Sequence, residues 1–284
     1  SELFREIMGL GAYYPTRAEQ RILERHAAEI TAPLAGRACT VVDLGAGDGA
    51  KTRLLLDALC GHGPPPCYAP VDLSGAALAQ ASGRMASAFP GMEIVPVEAD
   101  YLQGLRALGT GRPGPLLVLF LGSNVGNLER AEAARFLRSL RRRLRPGDHV
   151  LVGLDLVKDP ATLHAAYDDA AGVTAAFNLN LLERINRELG GDLDVRAFEH
   201  VATFDPARPA MESWLRSRRR QRVRVAGRCF SLEAGERIHT EISCKYREGD
   251  IDAFARHAGF EEVGRHRDRS HRFADAVWRV GAPR

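Results

Sequence analysis

Five short apolar runs alternate with helical patterns in the first half of the chain. The segments between the runs place Leu, Ala and Phe at helical spacing with charged residues opposite, whereas the runs have the length of buried strands. This strand–helix alternation predicts an α/β fold with a doubly wound, Rossmann-like parallel sheet. The predicted strands are residues 39–45, 67–73, 92–100, 116–122 and 149–157.

The pattern changes after Asp159 and Pro160, where helical spacing is followed by stretches that alternate between apolar and polar residues. We interpret this part as an inserted α+β domain, after which a last helix and strand return to the main sheet. The predicted sheet domain comprises residues 18–157 and 246–284, and the second domain comprises residues 1–17 and 158–245. The later elements are expected at residues 161–172, 174–189 and 251–260 (helices) and at 198–205, 222–227, 237–246 and 273–280 (strands).

The composition is that of an ordinary globular protein. With 284 residues, 45% of them hydrophobic, the chain can build a sizeable core. A formal net charge of +3, from 39 basic and 36 acidic residues, gives little support to a role on nucleic acid or on a membrane surface. No apolar run approaches the roughly 20 residues that a membrane helix needs. We therefore expect a cytoplasmic monomer that acts on a small molecule.

The cysteines also fit a reducing compartment. They are odd in number, are dispersed along the chain and form no C-x-x-C pair, so the sequence predicts neither a disulfide framework nor a zinc ribbon. No metal site is predicted. The cysteines are Cys39, Cys60, Cys67, Cys229 and Cys244.

The segment VVDLGAGDGAKT, residues 41–52, contains a glycine-rich turn that fits three nucleotide-site patterns. It nearly matches the phosphate loop, but Ala50 stands where that loop needs its final glycine. It matches the dinucleotide turn G-x-G-x-x-G/A, but Asp48 would place a negative charge beside the pyrophosphate. The third pattern, G-x-G-x-G, is used by S-adenosylmethionine (SAM) methyltransferases. SAM carries a sulfonium and an ammonium group, which tolerate Asp43 and Asp48, so we favour SAM.

Residues downstream of the turn agree with a SAM site. Asp72 ends the second strand, where it can accept hydrogen bonds from two ribose hydroxyls. Asp100 ends the third strand, where it can receive the adenine amino group with Tyr101 beside the ring. Lys51 lies in a first helical turn, which the helix dipole disfavours, and this suggests an anionic partner such as the SAM carboxylate. Each aspartate has an alternative interpretation as the N-cap of the following helix.

The motifs argue against a nucleic-acid acceptor. Nucleic-acid amino-methyltransferases carry [DN]-P-P-[YF] after the fourth strand, where this chain reads FLGSNVGN, residues 120–127. The basic run LRSLRRRLRP has the spacing of an amphipathic helix, and RSRRRQRVRV alternates like a strand.

Four separated motifs together resemble the SAM-dependent histidine Nα-methyltransferases of ergothioneine biosynthesis. The resemblance covers nearly the whole chain. It implies a SAM-binding Rossmann-like domain joined to a substrate-binding domain that encloses free L-histidine, whose α-amino nitrogen is methylated three times to give hercynine. The motifs are SELFREIMGLGAYYPTRAE, FLGSNVGNL, LDLVKDPATLHAAYDDAAGVTAAFN and AGERIHTEISCKY.

The resemblance also implies roles for single residues. Tyr13, Asn127 and Tyr167 would hold the α-carboxylate and the amino end of the substrate, and Glu241 and Ser243 would hold the imidazole. No catalytic base is assigned, because attack of a neutral amine on the SAM methyl requires little acid–base chemistry. The SAM site would comprise Gly45, Gly47, Lys51, Asp72, Asp100, Tyr101, Gly122 and Ser123.

Strand periodicity gives the imidazole assignment a physical basis. Alternate side chains of a strand share a face, so His239, Glu241, Ser243 and Lys245 are expected to point the same way. A carboxylate accepts an imidazole N–H, and a hydroxyl can meet the other ring nitrogen. The alternative is a polar face exposed to water.

Two positions depart from the family pattern and keep other functions open. Asn124 stands where threonine is frequent, and Ser213 stands where an apolar residue precedes the tryptophan. The acceptor or the degree of methylation can therefore differ. The alternatives are a SAM-dependent N-methyltransferase of another amino acid or aromatic amine, and a SAM-binding protein without catalytic activity.

Overall fold

The computed structural model describes residues 2–109 and 114–282. The chain divides into two units. The sheet unit comprises Arg17–Leu156 and Tyr246–Arg284, and the insert unit comprises Ser1–Thr16 and Val157–Lys245. Residues 1, 110–113, 283 and 284 of the predicted domain ranges lie outside the described residues.

The described residues form strands in both units. In chain order they are β1 (Thr40–Leu44), β2 (Cys67–Asp72), β3 (Val97–Glu98), β4 (Leu116–Phe120), β5 (His149–Asp155), β6 (Phe198–Asp205), β7 (Ala210–Ser217), β8 (Gln221–Val225), β9 (Arg228–Leu232), β10 (Arg237–Cys244), β11 (Glu261–Arg267) and β12 (Phe273–Arg279).

Helices connect most of these strands, and none of the described helices is long and apolar enough to cross a membrane. In chain order they are α1 (Glu2–Gly9), α2 (Pro15–Thr31), α3 (Ala50–Cys60), α4 (Gly75–Ala88), α5 (Tyr101–Ala107), α6 (Arg130–Arg141), α7 (Pro160–Tyr167), α8 (Val173–Leu189) and α9 (Glu248–Ala258).

The sheet unit contains a seven-stranded sheet with the order β11-β12-β5-β4-β1-β2-β3. Strands β1 to β5 pair in parallel, and β12 runs antiparallel to both β5 and β11. Every residue of β1, β4 and β5 is buried, as near-continuous apolar strands with helices on both faces require. The predicted α/β fold and the return of the last strand to the main sheet are confirmed.

The apolar face of α3 explains why this helix lies on the sheet. Leu55 and Leu56 are fully buried and belong to one core cluster with Val41 of β1 and Leu117 and Leu119 of β4. Burial of a leucine side chain contributes about 1.5–3 kcal/mol. This packing fixes the start of α3, and with it the glycine turn, at the carboxyl end of β1.

The third predicted strand is much shorter than expected. Of residues 92–100, only Val97–Glu98 forms a strand, with one isolated bridge between Ile94 and Tyr68. Pro96 lies between these two pairings and has no N–H to donate to a neighbouring strand. Helix α5 was not predicted because it is short, and strand β11 was not predicted because it is largely polar.

The insert unit contains a three-stranded antiparallel sheet with the order β10-β7-β6 and a separate pair, β8 and β9. Leu182 of α8 joins Phe198 of β6 and Leu215 of β7 in one buried cluster. The predicted strand 198–205 matches β6, but β7 and β9 were missed. The helix predicted at 161–172 ends at Tyr167.

Candidate active site

The glycine turn between β1 and α3 has left-handed backbone at three positions. Gly45, Gly47 and Gly49 have φ angles of 78°, 55° and 72°. Residues other than glycine rarely adopt such positive φ angles. A Cβ on Gly45 would lie 2.8 Å from Nδ2 of Asn124 and 3.4 Å from the hydroxyl of Tyr101. The turn therefore brings bare backbone close to side chains that follow β3 and β4.

Asp72 contacts the glycine turn directly. Its Oδ2 accepts a hydrogen bond from the Gly47 N–H at 3.4 Å, and its Oδ1 accepts one from the Ser74 N–H at 2.9 Å. The N-cap of α4 is Ser74. Asp72 is therefore not the helix cap, and its carboxylate lies at the turn where the ribose is predicted.

Asp100 has the capping role that the sequence left open. Its Oδ1 accepts hydrogen bonds from two backbone N–H groups in the first turn of α5, at 3.0 and 2.9 Å. The next residue, Tyr101, packs edge-on against Phe120 with ring centroids 5.2 Å apart. Burial raises the pKa of Tyr101, so its phenol stays protonated. The adenine roles of Asp100 and Tyr101 remain predictions.

The anionic partner of Lys51 is a protein side chain. The Lys51 ammonium donates to Glu19, whose carboxylate is fully buried and also accepts the Gly122 N–H at 2.8 and 2.9 Å. Gly153 of β5 makes room for this carboxylate, because a Cβ there would overlap it. Sequence reasoning missed Glu19, since nothing in the charged pattern of α2 distinguishes it. Contact between Lys51 and the SAM carboxylate remains a prediction.

The segment that follows β4 also makes contacts within the sheet unit. Ser123 has a φ of 57°, and its hydroxyl accepts the Asp155 N–H at 3.1 Å. Asn127 is the last residue of a short 3-10 helix and is exposed. Asn127 belongs to the sheet unit, whereas Tyr13, Tyr167, Glu241 and Ser243 belong to the insert unit.

Two further carboxyl groups are buried in the sheet unit. Asp43 accepts hydrogen bonds from the hydroxyls of Thr52 at 2.5 Å and Tyr68 at 3.2 Å. Burial raises the pKa of Asp43 to about 6 despite these donors. Burial, and then the charge of Glu19, raise the pKa of Asp275 well above its ordinary value; its two oxygens have no hydrogen-bond partner among the described residues.

The raised pKa of Asp43 predicts a pH-dependent stability. Between pH about 4 and about 6 the unfolded state has lost the Asp43 proton but the folded state retains it, so the free energy of unfolding falls as pH rises through this window. In Asp43→Asn this contribution is absent. Between pH 4 and pH 7 we expect the free energy of unfolding of the variant to rise by on the order of 2–3 kcal/mol relative to that of the parent. Urea unfolding at each pH measures this difference.

The matched control for this measurement is Asp57→Asn, since Asp57 is an exposed aspartate on α3. Its stability should follow that of the parent at every pH. Parallel pH profiles of Asp43→Asn and the parent would show that Asp43 titrates normally in the folded protein.

A buried polar cluster lies in the insert unit. The ammonium of Lys245, which is fully buried, donates to the Tyr167 hydroxyl at 2.7 Å and to the Ser243 hydroxyl at 2.8 Å. The two hydroxyls are 2.7 Å apart and hydrogen-bonded to each other. The structure therefore joins the predicted residues Tyr167 and Ser243 through Lys245, which had no assigned role although it continues the alternation of Glu241 and Ser243.

Glu241 lies beside this cluster with its carboxylate half-buried. None of the residues that the structure describes donates a hydrogen bond to it. Burial raises its pKa above the ordinary value, and the positive charge of Lys245 opposes this shift. A desolvated carboxylate without a donor is a group that an N–H of a ligand can satisfy.

The register of β10 confirms one part of the face prediction and corrects another. Glu241 pairs with Ser213 and Ser243 with Met211, so Glu241 and Ser243 share a face. His239 pairs with Trp214, whose neighbour Ser213 points to the other face, and the two rings are 4.6 Å apart. The expectation that His239 shares the face of Glu241 is therefore wrong. A bulge between these residues inserts one extra position, which reverses the alternation.

Two aromatic side chains lie next to the Tyr167 end of the cluster. Tyr13 contacts Tyr167 edge-on, with ring centroids 6.3 Å apart. His200 of β6 hydrogen-bonds through Nε2 to the Tyr167 carbonyl at 2.9 Å, while its buried Nδ1 has no partner among the described residues. His200 was also missed, because a histidine inside an alternating strand carries no separate signal.

Comparisons with known proteins identify the family. Residues 1–280 match the family described as histidine-specific, SAM-dependent methyltransferases. The chain is 45% identical over 265 residues to the histidine N-alpha-methyltransferase of Mycolicibacterium smegmatis, covering 93% of this chain and 81% of that protein. It is 30% identical to ergothioneine biosynthesis protein 1 of Neurospora crassa, covering 92% of this chain and 30% of that protein.

A solved structure supports the fold. The CcbJ methyltransferase from Streptomyces caelestis superimposes with a TM-score of 0.51 at 21% identity, covering 91% of this chain and 90% of that chain. The predicted methyltransferase fold, SAM as the cofactor and the family resemblance are confirmed. The chain belongs to the family of SAM-dependent, histidine-specific methyltransferases.

Proposed function

We propose that this protein methylates the α-amino nitrogen of free L-histidine in three successive transfers, giving hercynine for ergothioneine biosynthesis. The names of the relatives from M. smegmatis and N. crassa support this function. The structural observation that carries it is the Glu241 carboxylate beside the hydroxyl of Ser243 on one face of β10, together with the buried Lys245.

The hydrogen bonds of Ser243 support recognition of a neutral imidazole. A serine hydroxyl has one proton and two acceptor sites. Lys245 is only a donor, so it fills one acceptor site of Ser243. If Tyr167 donates to the other site, the Ser243 proton is left for a ligand. Glu241 would then accept the imidazole N–H, and Ser243 would donate to the bare ring nitrogen.

When bound, SAM would supply a methyl group on its sulfonium; the neutral amine would attack this methyl in line, and S-adenosylhomocysteine would be the leaving group. Gly45, Gly47 and Asp72 would hold SAM, because Asp72 lies against the turn and offers acceptors that suit ribose hydroxyls. The carboxylates of Asp43 and Asp48 near the turn are compatible with a cationic ligand and unsuited to a pyrophosphate. Lys51, Asp100, Tyr101, Gly122 and Ser123 complete the proposed SAM site.

The α-carboxylate and the amino end of histidine would be held by Tyr13, Asn127 and Tyr167. Fixing the substrate through its carboxylate and its ring leaves the nitrogen free to rotate between transfers, which successive methylation requires. The chain's part in the chemistry is to orient the amine with its lone pair available. We assign no residue as general base.

We further propose that the protein acts as a cytoplasmic monomer without nucleic acid. Its five cysteines are dispersed along the chain and form no C-x-x-C pair, which suits a reducing compartment. Arginines of the basic run RSRRRQRVRV have carboxylate partners in the insert unit, which argues against a phosphate-binding patch. The pairs are Arg216 and Arg218 with Glu199, Arg219 with Asp194, and Arg220 with Glu233.

A panel of acceptors tests this function. The purified protein is incubated with SAM and, separately, with histidine, tryptophan and other amino acids, and the products are weighed by mass spectrometry. We expect histidine alone to gain three methyl groups. Methylation of another amino acid instead of histidine would retain the SAM site and overturn the imidazole assignment. SAM binding without methylation of any acceptor would favour a non-catalytic SAM-binding protein.

A further inference from the structure

Two histidines and a glutamate that are distant in sequence meet at the surface of the sheet unit. His26 and Glu29 are one turn apart on α2, and His266 lies on β11. The Nδ1 atom of His26 is 3.2 Å from Oε2 of Glu29, and the Nδ1 atom of His266 is 3.6 Å from the same oxygen. One ligand atom from each residue lies within 4.8 Å of the other two. Two imidazole nitrogens thus converge on one carboxylate oxygen.

These spacings suit a shared metal ion better than hydrogen bonding alone. Zinc binds histidine nitrogen and carboxylate oxygen at about 2.0–2.2 Å, so the ligand atoms of a tetrahedral site are about 3.3–3.5 Å apart. Both nitrogen–oxygen distances lie near this value. A hydrogen bond accounts for the contact of His26, but the contact of His266 at 3.6 Å is too long for one.

The surroundings hold both imidazoles in place. The two rings are 4.7 Å apart with an interplanar angle of 32°, and their side chains are 21% and 14% exposed. The Nε2 side of His266 faces the backbone of Gly264, where an added Cβ would lie 3.4 Å from that nitrogen. Its Nδ1 is left to face Glu29, which is 65% exposed and can adjust its carboxylate to an ion.

We propose that His26, Glu29 and His266 bind a divalent transition-metal ion of the zinc class. Imidazole and carboxylate ligands suit Zn²⁺, Co²⁺ and Ni²⁺, and three protein ligands leave at least one coordination position for water. The bound ion would tie α2, which also carries Glu19, to strand β11. The cysteine pattern that predicted no metal site carries no information about these residues, because only the fold brings them together.

Titration with Co²⁺ alone tests the site, on protein without a histidine tag. We expect one equivalent to give a saturable visible absorption without thiolate charge transfer, and to raise the thermal midpoint. His26→Gln, Glu29→Gln and His266→Gln should each weaken Co²⁺ binding about 10-fold or more and reduce the thermal shift. The control is His62→Gln, which removes an exposed histidine outside the cluster and should behave like the parent.

Three outcomes would contradict the proposed metal site. The first is an absence of saturable absorption in the parent. The second is a thiolate charge-transfer band, which would place the ion on a cysteine. The third is an equal Co²⁺ affinity in the parent, in His26→Gln and in His266→Gln. Far-UV circular dichroism of the metal-free variants establishes that each is folded. Because three ligands are replaced separately, the test still holds if one variant does not fold.

Discussion

Replacing Glu241 by alanine is expected to lower kcat/KM for histidine about 10- to 100-fold while leaving the Kd for SAM unchanged. The Glu241 carboxylate is desolvated, its pKa is raised, and an imidazole N–H would be the donor that it lacks among the described residues. Loss of a hydrogen bond to a charged group costs about 1.5–3 kcal/mol, which corresponds to this range. Steady-state kinetics measures the first quantity, and calorimetry with SAM measures the second.

The matched control is Glu199→Ala. Glu199 is a carboxylate of the same three-stranded sheet, but it pairs with Arg216 on the face opposite Glu241. Its removal should leave kcat/KM for histidine within about twofold of the parent, since surface ion pairs contribute little. Equal kinetic losses in the two variants would mean that the Glu241 effect comes from the sheet as a whole and not from imidazole recognition.

Lys51→Met is expected to lower the free energy of unfolding by about 3 kcal/mol. The substitution leaves the fully buried Glu19 carboxylate without its cation, and breaking a buried ion pair from one side costs about 3–5 kcal/mol. We place the effect at the lower end because Lys51 is 22% exposed and Gly122 still donates to Glu19. Urea unfolding in the absence of SAM measures it.

The double variant Glu19→Gln with Lys51→Met separates stability from cofactor binding. Removing both charges should recover at least half of the lost stability, because no unpaired buried charge remains. If Lys51 also meets the SAM carboxylate, the Kd for SAM stays raised about 10-fold or more in the double variant. Recovery of SAM binding together with stability would show that Lys51 acts only through Glu19.

The architecture of the sheet unit was predictable because its signals are local. Buried parallel strands form near-continuous apolar runs, and the glycine turn has its own residue pattern. The predictions failed where a single residue interrupted a strand that the hydrophobic pattern indicated. Pro96 limits the third strand to Val97–Glu98, and the bulge in β10 turns His239 away from Glu241. Neither effect changes the hydrophobic periodicity that sequence reasoning depends on.

The partners of the candidate site residues were less predictable because they depend on tertiary contacts. Asp72 could be predicted because it ends a strand, and Glu241 could be predicted from the alternation of side chains along a strand. Glu19 is one of many charged residues on α2, and only the space above Gly153 shows that it is the buried partner of Lys51. Acidic residues near a glycine turn indicate the charge of a ligand, but they do not identify the protein groups already paired with one another.

The position of the transferred methyl groups tests the central claim most directly. Histidine is incubated with the protein and SAM labelled with ¹³C in its methyl group, and the product is examined by NMR. We predict that all three labelled methyl groups lie on the α-amino nitrogen and that both ring nitrogens remain unmodified. A labelled methyl on the imidazole would contradict the account, because the ring is the part that Glu241 and Ser243 are proposed to hold away from reaction.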